Sequence, residues 1–289
     1  LDEALTRLDR EPEGEERVPP AGRYDEIVAF VRSVDLPDDG ARAYLEKHVP
    51  RIGRTLALVP PPRSSGRVLE MGAYMQMTPA LQCVLGYREV RGAYYGQFGR
   101  VDEKTVTSGG REIFRCFVDH FNAEKDRHPY EDNRFETVLA CEIFEHMLFD
   151  PMHMLLEMRR VTEEGGTLIL TTPNVGSCAA VVRALLQDDN PQVYSKFPYP
   201  FGDASDTEIP HVREYTPREL RWAVEAAGFE VENLFTEPIA DYKHCLWAKD
   251  FLRRHGYSAA FRGEQMYCIA RKRSALPVTR YPNFLYEGV

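Results

Sequence analysis

The chain has 289 residues, 43% of them apolar, which is enough to bury a full core in one main α/β domain with additions. Forty-five acidic against 36 basic residues give a net charge of −9, and no run of Lys or Arg is long enough to track a phosphate backbone, so a nucleic-acid partner is disfavoured. No apolar run approaches the roughly eighteen residues of a membrane span. The six cysteines (Cys83, Cys116, Cys141, Cys178, Cys245 and Cys268) lack CxxC spacing. With no secretory leader in the residues given, a cytoplasmic chain with reduced thiols is the expectation.

Residues 1–22 are acidic, proline-bearing and aperiodic, which suggests a loose arm. Tyr24, Ile27, Val28, Val31 and Val34 then recur at helical spacing, and a second helix is expected over 39–58, stopped by Pro60-Pro61-Pro62. Arm and helices form an N-terminal cap, 1–60, whose job is packing or closure. From Arg67 the pattern alternates between strand and helix, and residues 61–274 read as the main domain. A strand over 67–71 leads through a turn at 72–77 into a helix opened by Thr78 and Pro79 and closed by Gly86. Strands follow near 89–94 and, after a variable Gly/Asp/Thr region, near 114–119. A polar loop fills 122–133.

The next strand begins at Phe135, a helix is expected from Asp150-Pro151 to Gly165-Gly166, and another strand starts around Thr167. Residues 175–215 hold a short helix near 179–186 and then little pattern. Loops of that length inside a compact domain are usually functional or disordered, and Tyr194, Phe197, Tyr199 and Phe201 are candidates to line an acceptor pocket or to stack on the core. Thr216-Pro217-Arg218-Glu219 is a capping box that opens a helix ended by Gly228. Strands near 229–235 and 265–270 complete the set, and 275–289 is an aperiodic tail. The expected fold is α/β: a doubly wound, mostly parallel, Rossmann-like sheet of seven strands with an N-terminal helical extension.

In such sheets ligands bind beyond the carboxyl ends of the strands. The apolar strand Val138-Leu139-Ala140 ends in Cys141-Glu142-Ile143-Phe144-Glu145-His146, and the later strand Leu168-Ile169-Leu170 ends in Thr171-Thr172-Pro173-Asn174. If the chain turns helically after Cys141, Glu142, Glu145 and His146 stand at i, i+3 and i+4 and converge on one face. Two carboxylates and an imidazole suit a divalent cation such as Mg²⁺, Mn²⁺, Fe²⁺ or Zn²⁺, with His211 as a fourth ligand. The plainer alternative is that this cluster only braces the loop or cofactor. Without a metal, His146 or His211 is the best general base.

Upstream, Gly72 would let the backbone approach a ligand at the N-terminus of the following helix. His153 reads as a helix-surface or packed residue, His120, His128 and His244 have no obvious partner, and Arg271-Lys272-Arg273 reads as a solvated strand end.

Taken together, Glu70-x-Gly72, Asn122-Ala123-Glu124 before the strand at Phe135, the Cys141 to His146 run, Gly165-Gly166 and Thr172-Pro173-Asn174 resemble the class I S-adenosylmethionine-dependent methyltransferases in order and spacing. The resemblance covers residues 66–272, and Glu157 to Val161 and His211 to Thr216 also fit. It implies S-adenosylmethionine as cofactor, with Gly72 and Ala73 against its methionine part, Glu70 orienting the turn and Asn122-Ala123 meeting the adenine. Tyr94 or Tyr95 would stack on the nucleoside or simply pack, and Tyr74, Thr78 and Cys141 complete the implied cofactor set.

Two departures stand out. Of the family's three usual glycines only Gly72 is present, with Tyr74 and Gln76 at the other two positions. The usual ribose-binding acid is replaced by Ala93-Tyr94-Tyr95. Similar variant turns occur among bacterial methyltransferases that resemble surface-polysaccharide enzymes, which implies a variant set of cofactor contacts. The Glu142, Glu145, His146 and His211 set is similar to the metal site of small-RNA 2′-O-methyltransferases and to a set in ubiquinone-pathway O-methyltransferases.

The expected activity is O-methylation of a sugar, glycan or other small hydroxylated acceptor, with Glu145, His146 and His211 as catalytic residues. RNA 2′-O-methylation, N- or S-methylation and a non-catalytic scaffold are the alternatives, and the oligomeric state is open. A dinucleotide dehydrogenase is disfavoured because both its glycine fingerprint and its acid are absent.

Overall fold

A computed structural model describes residues 22–63, 65–192, 210–239 and 245–286. Tyr194, Phe197, Tyr199, Phe201, His244 and all but the last residue of the expected arm lie outside them. In chain order the elements that place the site are α1 (Tyr24–Ser33), α2 (Asp39–Leu58), β1 (Arg67–Met71), α3 (Thr78–Cys83), β2 (Glu89–Tyr94), β3 (Val101–Ser108), β4 (Arg111–His120) and β5 (Phe135–Cys141). They are followed by α4 (Pro151–Val161), β6 (Thr162–Pro173), α5 (Cys178–Val182), α6 (Pro217–Ala226), β7 (Phe229–Glu237), α7 (Cys245–Arg254) and β8 (Gln265–Lys272).

The strands make one sheet in the order β3-β4-β2-β1-β5-β6-β8-β7. The run β4-β2-β1-β5-β6 is parallel, while β8 is antiparallel to both β6 and β7. Central strands buried on both faces read as near-continuous apolar runs, as Val138 to Ala140 and Leu168 to Leu170 do. Alternate residues then serve opposite layers. Leu69, Met71, Val138, Ala140, Leu168 and Leu170 share a core with α4 and α6. Val68, Leu139 and Ile169 share a second core with α1, α2 and α3. On α4, Met152, Leu155 and Met158 are fully buried at helical spacing, each contributing about 1.5–3 kcal/mol.

Four features differ from the sequence expectation. The sheet has eight strands rather than seven, because the variable region forms β3, which pairs with β4 across Gly109-Gly110. Both glycines have positive φ, 57° and 75°, as a two-residue hairpin turn requires. Secondly, α4 stops at Val161, where the Thr162 hydroxyl donates to the Met158 carbonyl at 2.6 Å and the chain enters β6 directly. Gly165, at φ 68°, falls within β6 where its register with β5 shifts. Helix α7 is also new; it buries only Ala248 and Leu252. Lastly, the tail is docked: Arg280 and Tyr286 both bind Asp150, the N-cap of α4, and Phe284 packs on Trp222.

All six cysteines are free. Among the described residues no helix is long and apolar enough to cross a membrane.

Candidate functional site

The carboxyl ends of β1, β2, β4, β5, β6 and β7 lie along one edge, and every candidate residue except His211 follows directly from the strands or turns there. At the β1 turn, Glu70 is fully buried; its Oε1 accepts from the Tyr74 N–H at 3.4 Å and its Oε2 has no hydrogen-bond partner among the described residues. Burial pushes its carboxyl up to about 8, against the lowering effect of Thr78 and the Tyr74 amide. The Thr78 hydroxyl in turn donates to the Tyr74 carbonyl at 2.8 Å, which locks the turn onto α3.

Gly72 has φ 65°, and a Cβ there would lie 2.6 Å from Cγ2 of Ile143. Its smallness therefore lets the β1 and β5 turns approach each other, a use the sequence did not reveal. Ala73 donates its N–H to the Ala93 carbonyl at 2.9 Å, joining the turn to the end of β2. Aromatic surface stands beside it: Tyr74 and Tyr95 are 48% and 41% exposed, and Tyr94 lies edge to face with Tyr74 at 6.3 Å. Asn122 folds its own loop, its Oδ1 accepting from Glu124 N–H and its backbone N–H donating to Asp126, while the Ala123 carbonyl faces His128. Cys141 sits at the end of β5, and burial pushes its thiol up to about 12.

The second turn brings Glu145, His146 and His211 together, with one donor atom from each within 4.8 Å of the others. His146 Nε2 is 3.9 Å and His211 Nε2 is 4.0 Å from Glu145 Oε1, and the two rings stand edge to face at 4.8 Å. The backbone places them: Phe144–His146 forms a single 3₁₀ turn, and Val212 donates its N–H to the Glu145 carbonyl at 2.8 Å. Glu145 Oε2 accepts from the Thr172 hydroxyl at 2.8 Å, whereas the buried Oε1 has no hydrogen bond among the described residues. Burial pushes this carboxyl up to about 7. His211 Nδ1 lies 3.1 Å from Glu214 Oε1, which orients the ring and turns Nε2 toward Glu145.

Glu142 does not join this cluster, correcting the expectation of one helical face. Its backbone is left-handed, φ 54°, so the helical spacing begins only at Phe144. The carboxylate turns to the other side, where Oε1 accepts from Thr171 (2.9 Å) and Gln265 (2.7 Å) and Oε2 meets Arg51 at 3.1 Å. A metal set of Glu142, Glu145, His146 and His211 is therefore reduced to the last three.

Three other histidines have structural partners: His153 Nε2 with the Asp126 carbonyl (2.8 Å), His120 Nε2 with Asp102 (3.0 Å), and His128 Nε2 with the Ala123 carbonyl. Lys272, expected to be solvated, is buried and donates to Asn133 and to the Thr162 carbonyl. The sequence reading gave no site role to Arg51, Gln265, Thr171 or Thr172. The two adjacent threonines ending an apolar strand were the available signal; Arg51 and Gln265 come from elements distant in sequence.

Residues 42–234 match the model of a family described as a methyltransferase domain. No curated protein matches the chain. Among solved structures, the chain is similar to the methyltransferase in a complex with the Haloferax volcanii Trm112 methyltransferase activator, at 15% identity and a TM-score of 0.49, over 87% of this chain and 98% of that one. A Methanosarcina mazei S-adenosylmethionine-dependent methyltransferase is similar at 13% identity and a TM-score of 0.47, over 71% and 92%. One from Archaeoglobus fulgidus is similar at 15% and 0.45, over 81% and 94%.

Proposed function

Because this chain belongs to the methyltransferase-domain family, the class I S-adenosylmethionine-dependent methyltransferases, we propose that it transfers the methyl group to a hydroxyl oxygen of a small acceptor such as a sugar or glycan. The observation that carries this reading is the buried Glu145 oxygen without a hydrogen bond, facing two imidazoles at the carboxyl edge of the sheet.

Methyl transfer from a sulfonium is an in-line displacement in which positive charge leaves sulfur, so alignment and exclusion of water are the main demands. The β1 turn fits the donor: Glu70 Oε2 is buried and unsatisfied, and the turn is flanked by Tyr74, Tyr94 and Tyr95. Glu70, Gly72, Ala73 and Asn122 would hold the cofactor, with the tyrosines on its nucleoside. A hydroxyl acceptor must also lose a proton. With Nδ1–H of His211 directed at Glu214, its Nε2 carries the lone pair, and Glu145 stabilises the imidazolium that forms when that nitrogen takes the proton.

The same donors, one carboxylate oxygen and two imidazole nitrogens with a carboxylate behind His211, suit a divalent cation. Bound there, such an ion would lower the pKa of the acceptor hydroxyl.

The test is methyl transfer from S-adenosylmethionine to a panel of hydroxylated acceptors, followed by mass spectrometry of the product. His146→Ala and His211→Ala should lower turnover by about 100-fold or more while leaving the melting temperature and adenosylhomocysteine affinity near wild type. Wild-type rates in both variants would contradict the proton-accepting role. Full activity after chelation would remove the metal and leave the imidazole in place.

A further inference from the structure

A cavity of about 460 Å³ opens between α2, the carboxyl end of β7 and the amino end of β8, its lining including Tyr24, Lys47, Arg51, Arg54, Glu237 and Tyr267. Its size falls in the range of small-molecule sites. It adjoins the methyl-transfer edge, because Arg51 and Gln265 both line it and both bind Glu142 at the end of β5. The cavity concentrates cations in a chain of net charge −9. Lys47, Arg51 and Arg54 lie at i, i+4 and i+7 on one face of α2 and, among the described residues, share one lining carboxylate, Glu237.

These cations are not equally answered. The Arg54 side chain is 6% exposed, its Nε is 2.8 Å from Glu237 Oε1, and its guanidinium lies over the Phe235 ring at 5.0 Å. Arg51 meets Glu142 through one nitrogen, leaving part of its five-donor fork over. Lys47 makes no ion pair among the described residues. His48 adds no charge near neutrality, since burial beside Arg51 and Lys47 pushes it down to about 4. Like charges at i, i+4 on a helix are destabilising unless an anion sits between them. Gly53 presses α1 against α2 so closely that a Cβ would lie 2.6 Å from Val28, and this brings Tyr24 to the cavity wall.

We propose that this cavity is a subsite for an acidic acceptor: a small molecule bearing a carboxylate or phosphate group that Lys47 and Arg51 hold, with Tyr24 and Tyr267 against its body. Arg54 and Glu237 neutralise each other and form the far wall. A planar guanidinium beside an ammonium matches either oxyanion. The inference rests on the small-acceptor reading above and narrows its substrate class.

Calorimetric titration of the full chain at low ionic strength with glucose, glucuronate and glucose 6-phosphate tests it without requiring turnover. At least one of the two anions should bind tenfold or more tightly than glucose, and the better one identifies the carboxylate or the phosphate. Arg51→Gln should weaken that anion at least tenfold and Lys47→Ala several-fold. Lys47 is exposed, so its variant keeps the fold whatever Arg51→Gln does. Anions that bind no better than glucose, or equally well to wild type and Lys47→Ala, would overturn the subsite. Anion binding by a chain that methylates no hydroxyl would instead overturn the O-methyl reading and leave the subsite standing.

Discussion

Glu142 and Glu145 leave the same strand end, three residues apart, and are held in opposite ways. Glu142 has both oxygens engaged, by Thr171, Gln265 and Arg51, and its side chain is partly open to solvent. Glu145 is fully buried and, among the described residues, has one side-chain donor, Thr172, for two oxygens. A buried acceptor left unsatisfied costs about 1–3 kcal/mol, more for a charged group. Retaining that cost beside two imidazoles supports the proposed role of Glu145 toward a proton or a ligand, while Glu142 binds Arg51 and Gln265 between the β5 turn and the α2 cavity. Position at the carboxyl edge is thus not enough to assign a role; the hydrogen-bond inventory of each carboxylate separates them.

The largest expected effect tests this contrast directly. Glu145→Gln keeps the shape and the bond from Thr172 but loses the charge, and it should lower kcat by about 100-fold or more. Glu142→Gln, with its amide still able to accept from Thr171, should lower it by no more than about tenfold. Measured side by side on the same acceptor, equal losses would dissolve the distinction.

Much of this arrangement was legible beforehand. The spacing of Ile27, Val28 and Val31 and the proline stop after Leu58 placed α1 and α2, and the Thr216/Glu219 capping box is formed as read. Glu145 and His146 were found because polar residues follow a buried strand, and His211 because it precedes that box. What escaped was non-local. The left-handed turn at Glu142 is stabilised by Thr171, Gln265 and Arg51, partners on β6, β8 and α2 that no local spacing announces. Strand β3 escaped because it is an edge strand: Asp102, Glu103 and Lys104 interrupt its alternation, as charges on sheet edges commonly do. Helix α7 was missed although its amphipathic period is as strong as that of α1.

A second carboxylate extends the comparison. Glu70, like Glu145, is buried with one unsatisfied oxygen, and its folded-state value of about 8 lies above its ordinary 4.5. Folding therefore favours the protonated form. The stability it contributes is fully present below about 4.5 and is lost as pH rises through 8. Glu70→Gln removes this titration. Thermal unfolding should show variant and wild type close together at pH 5, with the variant higher by roughly 5 °C or more at pH 9. A difference that does not change with pH would mean that Glu70 is not held neutral by burial.

The smallest effect separates the two threonines at the end of β6, both fully buried. Thr171→Val removes one of two donors to Glu142 Oε1, and Gln265 still serves that oxygen, so the cost should be about 1 kcal/mol. Thr172→Val removes the hydroxyl serving Glu145 and leaves neither buried oxygen with a side-chain donor, for a cost nearer 2–3 kcal/mol. Denaturant unfolding at pH 8, where Glu145 is mostly ionised, measures both. At pH 5.5 the Thr172→Val cost should shrink, because the protonated carboxyl needs its donor less, while the Thr171→Val cost should hold. If the two variants lose the same stability at both pH values, the satisfied and unsatisfied carboxylates are energetically equivalent and the comparison fails.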